Sequence, residues 1–284
     1  KVNGLIQKGQ SPRVIWQNHP DEFPVGWRTY YGYAHDEKRE EICPMDFPRM
    51  KRYKPRKNSK SNKKETKSKI DRTGHEYYDF LKLPLEDMVR AVEVDTVVGR
   101  RNIDVKCILT IHFNSIVFQF HILLLAHDSK HVNDAFDALE KYLGSPKEFE
   151  RIMGIIILDR GPEFDGFRDL EMSCLEPSKK RCKVFFCDPC ASHQKPHCEN
   201  NHAEIRRIFP KKYTNFNKLT FSDVSTMSSH VNSYRRPTTG QIPLLLARMI
   251  IPKSLLDNLG IELINPDEVV LRPSLLPHTQ IPIN

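Results

Sequence analysis

Long apolar runs are absent from this sequence: stretches such as residues 122–126 and 155–158 fall far short of the roughly 18 residues needed to cross a bilayer. Nothing in it reads as a membrane protein. It also lacks an apolar leader, opening on Lys1 inside what reads as a helix, and is expected to be a fragment of a longer chain. Seven cysteines, an odd number, argue for thiols or metal ligands over a disulfide framework. Excess charge is lacking outside one segment. Between Arg49 and Arg72, twelve Lys or Arg stand against Glu65 and Asp71, a net of +10, which leaves about −2 for the rest of a chain whose formal charge is +8.

What is present is a 284-residue chain, 39% hydrophobic, long enough to bury a core in one large or two modest domains. The basic run is either a solvated segment or a phosphate-binding one, since each cation can neutralise a nucleic-acid backbone charge and release counterions. Lys51, Arg52, Lys54, Arg56 and Lys57 lead the second reading.

Residues 1–36 read as short helices. Ser11-Pro12 supplies an N-cap and a first-turn proline ahead of Val14, Ile15 and Trp16. A third segment spans residues 27–34, so that residues 1–48 are expected to form a helix-turn-helix remnant or a small helical bundle. Residues 49–86 follow as a basic linker whose Ser, Asn and Lys cannot bury enough to fold. From Val89 the pattern turns to strands, at residues 89–98, 105–113 and 116–126, the second and third joined by a turn at Asn114-Ser115. Val132, Phe136, Leu139 and Leu143 recur at helical spacing. A short apolar strand at 155–158, a helix over 164–174, a strand at 183–186 and a helix from Pro196 through Ile208 complete the order β-β-β-α-β-α-β-α. This α/β order predicts a ribonuclease-H-like mixed five-stranded sheet, three antiparallel strands then parallel ones, flanked by helices. The catalytic domain is expected over 87–250, with 251–284 as a C-terminal extension.

Three acids stand out. Asp95 interrupts an otherwise buryable strand, where a carboxylate costs several kcal/mol unless paired or bound to metal. Asp159 ends the fourth strand, and Glu199 lies in the first turn of the last helix. Strand centre, strand end and helix start can converge on one edge of such a sheet. Carboxylates about 4 Å apart repel by roughly 4 kcal/mol per pair at an effective dielectric near 20, so they need a cation, and hard oxygen ligands select Mg2+ or Mn2+. Two ions roughly 3.5–4 Å apart would activate a water or 3′-hydroxyl and stabilise the leaving oxygen. Each acid taken singly is equally readable as a cap or ion-pair partner. Glu93, two residues before Asp95 on the same strand face, is an outer-shell ligand or merely solvated.

Cys187, Cys190, His193, His197 and Cys198, spaced by 3, 3, 4 and 1, offer a rival: a tetrahedral zinc site in a DNA-binding protein with no catalysis.

Taken together, these blocks resemble the IS-thirty family of bacterial insertion-sequence transposases. Val92-Glu93-Val94-Asp95-Thr96-Val97-Val98-Gly99 resembles the family's first-aspartate strand, and Leu158-Asp159-Arg160-Gly161-Pro162-Glu163-Phe164 its second. Phe185-Phe186-Cys187-Asp188-Pro189, with Glu199-Asn200-Asn201 and Arg206-Arg207-Ile208-Phe209-Pro210-Lys211, resembles the block that carries the glutamate. Where members of the family carry Trp-Gln-Arg-Gly, this chain has His193-Gln194-Lys195-Pro196. The resemblance implies that Asp95, Asp159 and Glu199 hold two Mg2+ ions, with Mn2+ able to substitute, and that the reaction is cleavage at transposon ends followed by strand transfer. It implies terminal inverted repeats and target DNA as partners, at least a homodimer on DNA, and a bacterial cytoplasmic, nucleoid-associated location. Arg206 belongs to the glutamate block. Asn232, Arg235, Arg236 and Pro237 resemble the family's Asn-Arg-Pro stretch, whose arginines would hold phosphates or be ordinary surface. A ribonuclease-H-like nuclease that cuts without joining is the remaining alternative.

Overall fold

The computed structural model describes residues 1–36, 41–48, 70–189, 191 and 194–281, with backbone alone for 196–201. Two compact units emerge, residues 1–73 and 74–284.

The smaller unit is helical. The helices α1 (Val2–Gln7) and α2 (Pro12–Asn18) are joined through Gly9, whose φ of 87° is a left-handed conformation that costs glycine little. Ser11 caps α2 by accepting from the Val14 amide, and Pro12 occupies the first turn. The segment expected at 27–34 is shorter, as α3 (Thr29–Tyr33). Leu5, Ile6, Ile15, Tyr30, Ile42 and Phe47 close a core of their own. Arg28 lies 4.5 Å over the Trp27 ring.

The larger unit opens with α4 (Tyr77–Phe80) and α5 (Leu85–Arg90). Phe80 packs with Ala91, Ile157, Phe185 and Cys187, so residues 74–86, expected in the linker, form part of this unit's core. The first strand, expected from Val89, starts at Val92 because Pro84 and the first-turn acids Glu86 and Asp87 open a helix over the preceding residues. The sheet comprises β1 (Val92–Val98), β2 (Cys107–Phe113), β3 (Phe118–Leu124), β4 (Ile155–Leu158) and β5 (Lys183–Phe186), in the order β3-β2-β1-β4-β5. β1 to β3 run antiparallel, and β1, β4 and β5 run parallel. This is the α/β, ribonuclease-H-like sheet, with every residue of β2 buried.

Helices cover it: α6 (Ser129–Leu143), α7 (Pro146–Met153), α8 (Phe167–Glu171), α9 (Pro196–Ile208), α10 (Phe221–Ser233), α11 (Pro243–Ala247) and α12 (Lys253–Asn258). Gly166 at the head of α8 and Met172 at its end confine the helix expected over 164–174 to five residues, preceded by a 3-10 turn at Pro162–Phe164. Leu255 and Leu256 of α12 are buried and the helix packs on α6, so the C-terminal stretch is integral to the unit. The outer strand β3 is closed by a side chain. Asn232 of α10 accepts from the Gln119 amide at 3.1 Å and donates to its carbonyl at 2.8 Å, imitating a neighbouring strand.

Candidate active site

β1 is the strand at which the sheet changes from antiparallel to parallel. Its register with β4 pairs Val92 with Ile156 and Glu93 with Ile157. Beyond that register the two strands lead to Asp95 and, just past the end of β4, Asp159, whose carboxyl feels the charge of Asp95. Open α/β sheets commonly bind ligands at this edge.

Local geometry orients both acids. The Thr96 amide donates to Asp95 Oδ1 at 2.7 Å, and the Gly161 amide donates to Asp159 Oδ1 at 3.1 Å. Burial pushes the Asp159 carboxyl above its ordinary range, with Asp95 and Glu163 adding to the rise and Lys195 opposing it. Lys195 is 7% exposed; its ammonium donates to the Val94 carbonyl at 3.0 Å and lies 3.6 Å from Asp95 Oδ2. At an effective dielectric near 20, repulsion within such an acid pair and attraction to one ammonium are each roughly 3–5 kcal/mol. The lysine therefore offsets part of the repulsion between the two carboxylates.

Helix α9 lies against β1 and β2. Its His202 Nε2 is 3.4 Å from the Thr110 hydroxyl, and Thr110 is the cross-strand partner of Asp95. Glu199 lies in the first turn of the same helix. The start of α9 is thus anchored at the acid edge by Lys195 and His202.

Glu163, in the 3-10 turn after Asp159, is a site residue that its motif alone does not single out. It is 5% exposed, its Oε1 accepting from the Thr96 hydroxyl at 2.9 Å and lying 2.9 Å from His127 Nε2. Glu93 is 2% exposed and accepts from Asn114 Nδ2 at 2.8 Å, a buried bonded carboxylate and not a solvated one.

Each of the arginines offered to phosphates makes a hydrogen bond within the protein. Arg206 donates to the Val98 carbonyl at 2.7 Å and lies over Phe216. Arg236 is 9% exposed and reaches the Val117 carbonyl at 3.4 Å, so its guanidinium is turned inward. Arg235 is half-buried and donates to the Gly240 carbonyl. Lys51, Arg52, Lys54, Arg56 and Lys57 lie outside the described residues, as do Cys190 and His193; at His197, Cys198 and Glu199 the backbone alone is described. Cys187 is 5% exposed, packed with Phe80 and Phe185, and burial pushes its thiol up to about 11. That apolar setting disfavours the thiolate zinc requires.

Among the described residues, Asp137, Glu140 and Cys174 group as metal-type donors within 4.8 Å of one another. Their cation is already present: fully buried Arg181 lies 2.7 Å from Asp137 and 2.9 Å from Glu140. This cluster is an ion-pair network between α6 and the β5 approach. Among the described residues no helix is long and apolar enough to cross a membrane.

The sheet and its two adjoining acids define a protein of the ribonuclease-H-like class. No family model matches the chain. Over 146 residues it is 30% identical to "Putative integrase ORF3" of Spiroplasma virus SpV1-R8A2 B, a span of 51% of this chain and 41% of that protein. The matched span is therefore about two fifths of the relative's length.

Proposed function

We propose that this chain is a DNA recombinase of the transposase type, cutting DNA at the ends of a mobile element and joining the freed ends to a target. The observation that carries the reading is the proximity of Asp95 and Asp159 at the carboxyl edge of the sheet, where Asp159 is desolvated and feels the charge of Asp95, and the Lys195 ammonium lies 3.6 Å from Asp95. Likeness to a protein named an integrase supports the same reaction class.

Asp95, Asp159 and Glu199 would hold divalent ions, Mg2+ with Mn2+ as a substitute. The donor set fits: hard carboxylate oxygens, each aspartate fixed through Oδ1 by a backbone amide. A metal held there would supply positive charge at the transferring phosphate and acidify the attacking hydroxyl. The protein's own part is orientation. Thr96 and Gly161 hold the two aspartates in fixed rotamers, Glu163 holds Thr96, and Lys195 offsets the repulsion of the pair. The basic run at 49–72 would contribute phosphate contacts to both partner DNAs. Two element ends must be processed together, so the proposal includes at least a dimer on DNA. The zinc-stabilised alternative is disfavoured by the apolar packing of Cys187.

The test is Mg2+-dependent cleavage and joining of a labelled duplex carrying the element's own end. Asp95→Asn, Asp159→Asn and Glu199→Gln are each expected to abolish both steps while DNA binding is retained. Cleavage at the wild-type rate in any of them removes that residue from the mechanism. Cleavage without joining in the wild-type protein would favour the nuclease.

A further inference from the structure

We propose that Lys195 is the resident cation of the acid pair and competes with the divalent metal for it, so that this lysine sets how tightly metal is held. The inference rests on the reading of Asp95 and Asp159 as metal ligands. A lysine 7% exposed needs a reason to be inside, and this one has two: the Val94 carbonyl at 3.0 Å and Asp95 Oδ2 at 3.6 Å. Its charge is felt at Asp159 and at Cys187 as well. A metal ion bound through Asp95 would meet an ammonium within a few ångströms, a repulsion that weakens metal affinity on the order of ten-fold or more.

The backbone suits such an exchange. Lys195 caps α9 from outside the helix, at φ −128° and ψ 60°, and Pro196 follows it. Its long side chain reaches back onto β1 from that position, with the ammonium on the Val94 carbonyl. A purely structural lysine differs in a measurable way: its removal lowers stability and leaves metal affinity where it was.

The experiment is calorimetric titration of Mn2+ into the whole chain without DNA, for the wild type, Lys195→Met, Lys195→Gln and Lys195→Arg, with folding followed by circular dichroism. The two uncharged variants are expected to melt lower in metal-free buffer yet bind Mn2+ at least about ten-fold more tightly, while Lys195→Arg keeps wild-type affinity. Asp159→Asn placed in either background is expected to remove the binding. If Asp159→Asn removes it but the uncharged variants bind no more tightly than wild type, the role of Lys195 is overturned and the metal site stands. If Asp159→Asn changes nothing in any background, the metal reading fails and this inference falls with it. Should the uncharged variants not fold, wild-type protein carrying 13Cε-lysine reads the same event. The Lys195 methylene resonance is then expected to move on saturation with Mg2+, and an unmoved resonance overturns the proposal.

Discussion

The Thr96 hydroxyl donates to Glu163 Oε1 at 2.9 Å, tying the residue after Asp95 to the turn that follows Asp159. Thr96 also holds Asp95 Oδ1 through its amide, so Glu163 orders an acid it does not touch. Glycine at 161 makes this possible: a Cβ there would stand 2.3 Å from Glu163 Oε2.

Gly161→Ala is accordingly expected to displace the Glu163 carboxylate. Its φ of −67° suits any residue, so the cost is steric alone. Thermal unfolding should show a loss of about 1–3 kcal/mol, and the same substitution in a Glu163→Ala background should cost little, because the clashing atoms are gone. Additive losses in that double-mutant cycle would refute the contact.

Much of the fold was legible because burial is written into short apolar runs. The strands at 155–158 and 183–186 are found at those limits, and the three antiparallel strands begin within three residues of their expected starts. Residues 85–90 misled in the opposite sense, since Val89 is β-branched but follows Pro84 and two first-turn acids, which favour a helix. The helix α7 went unread although Ser145-Pro146 repeats the Ser11-Pro12 signal, with Ser145 accepting from the Glu148 amide at 3.1 Å. At the site, Asp95 was visible because an acid interrupts a buried strand. Lys195 was not, because its partner Val94 is 101 residues away in sequence and only the docking of α9 joins them. The inward-turned Arg236 escaped for the same reason.

Asn232 provides a stability test of the Asn-Arg-Pro stretch. It is fully buried and satisfies both the amide and the carbonyl of Gln119 on the outer strand. Asn232→Ala orphans two buried backbone groups and should cost about 2–4 kcal/mol. Asn232→Asp should cost more, since it sets a carboxylate against the Gln119 carbonyl. Urea unfolding checks both, and DNA affinity of the folded variants should match wild type; a selective loss of affinity at full stability would return this stretch to the DNA interface.

Stability should fall on mild acidification. Burial pushes His121 down from 6.5 to about 3, and nearby His202, Arg236 and His112 add to the shift. The folded protein keeps this ring neutral while the unfolded chain protonates near 6.5, so its contribution is complete above 6.5 and is lost as pH falls towards 3. Burial also depresses His230, steepening the same window. For His121 the loss is roughly 1.4 kcal/mol per pH unit from 6.5 down towards the folded value of about 3. His121→Gln, compared with wild type by urea midpoint at pH 7.5 and 5.0, is expected to have the shallower decline whatever its absolute stability. Parallel declines would show that the ring protonates in the folded state.

The basic run carries the last prediction, argued from charge alone. Replacing Lys51, Arg52, Lys54, Arg56 and Lys57 with Gln removes five cations from a segment whose net charge is +10. Each phosphate contact on duplex DNA contributes about 0.9 to the slope of log affinity against log salt. If all five bind phosphate, the slope should flatten by roughly four to five and affinity should fall equally for element-end and unrelated duplexes. An unchanged slope would mean that the segment is only solvated. A loss confined to the element end would assign it to sequence reading instead.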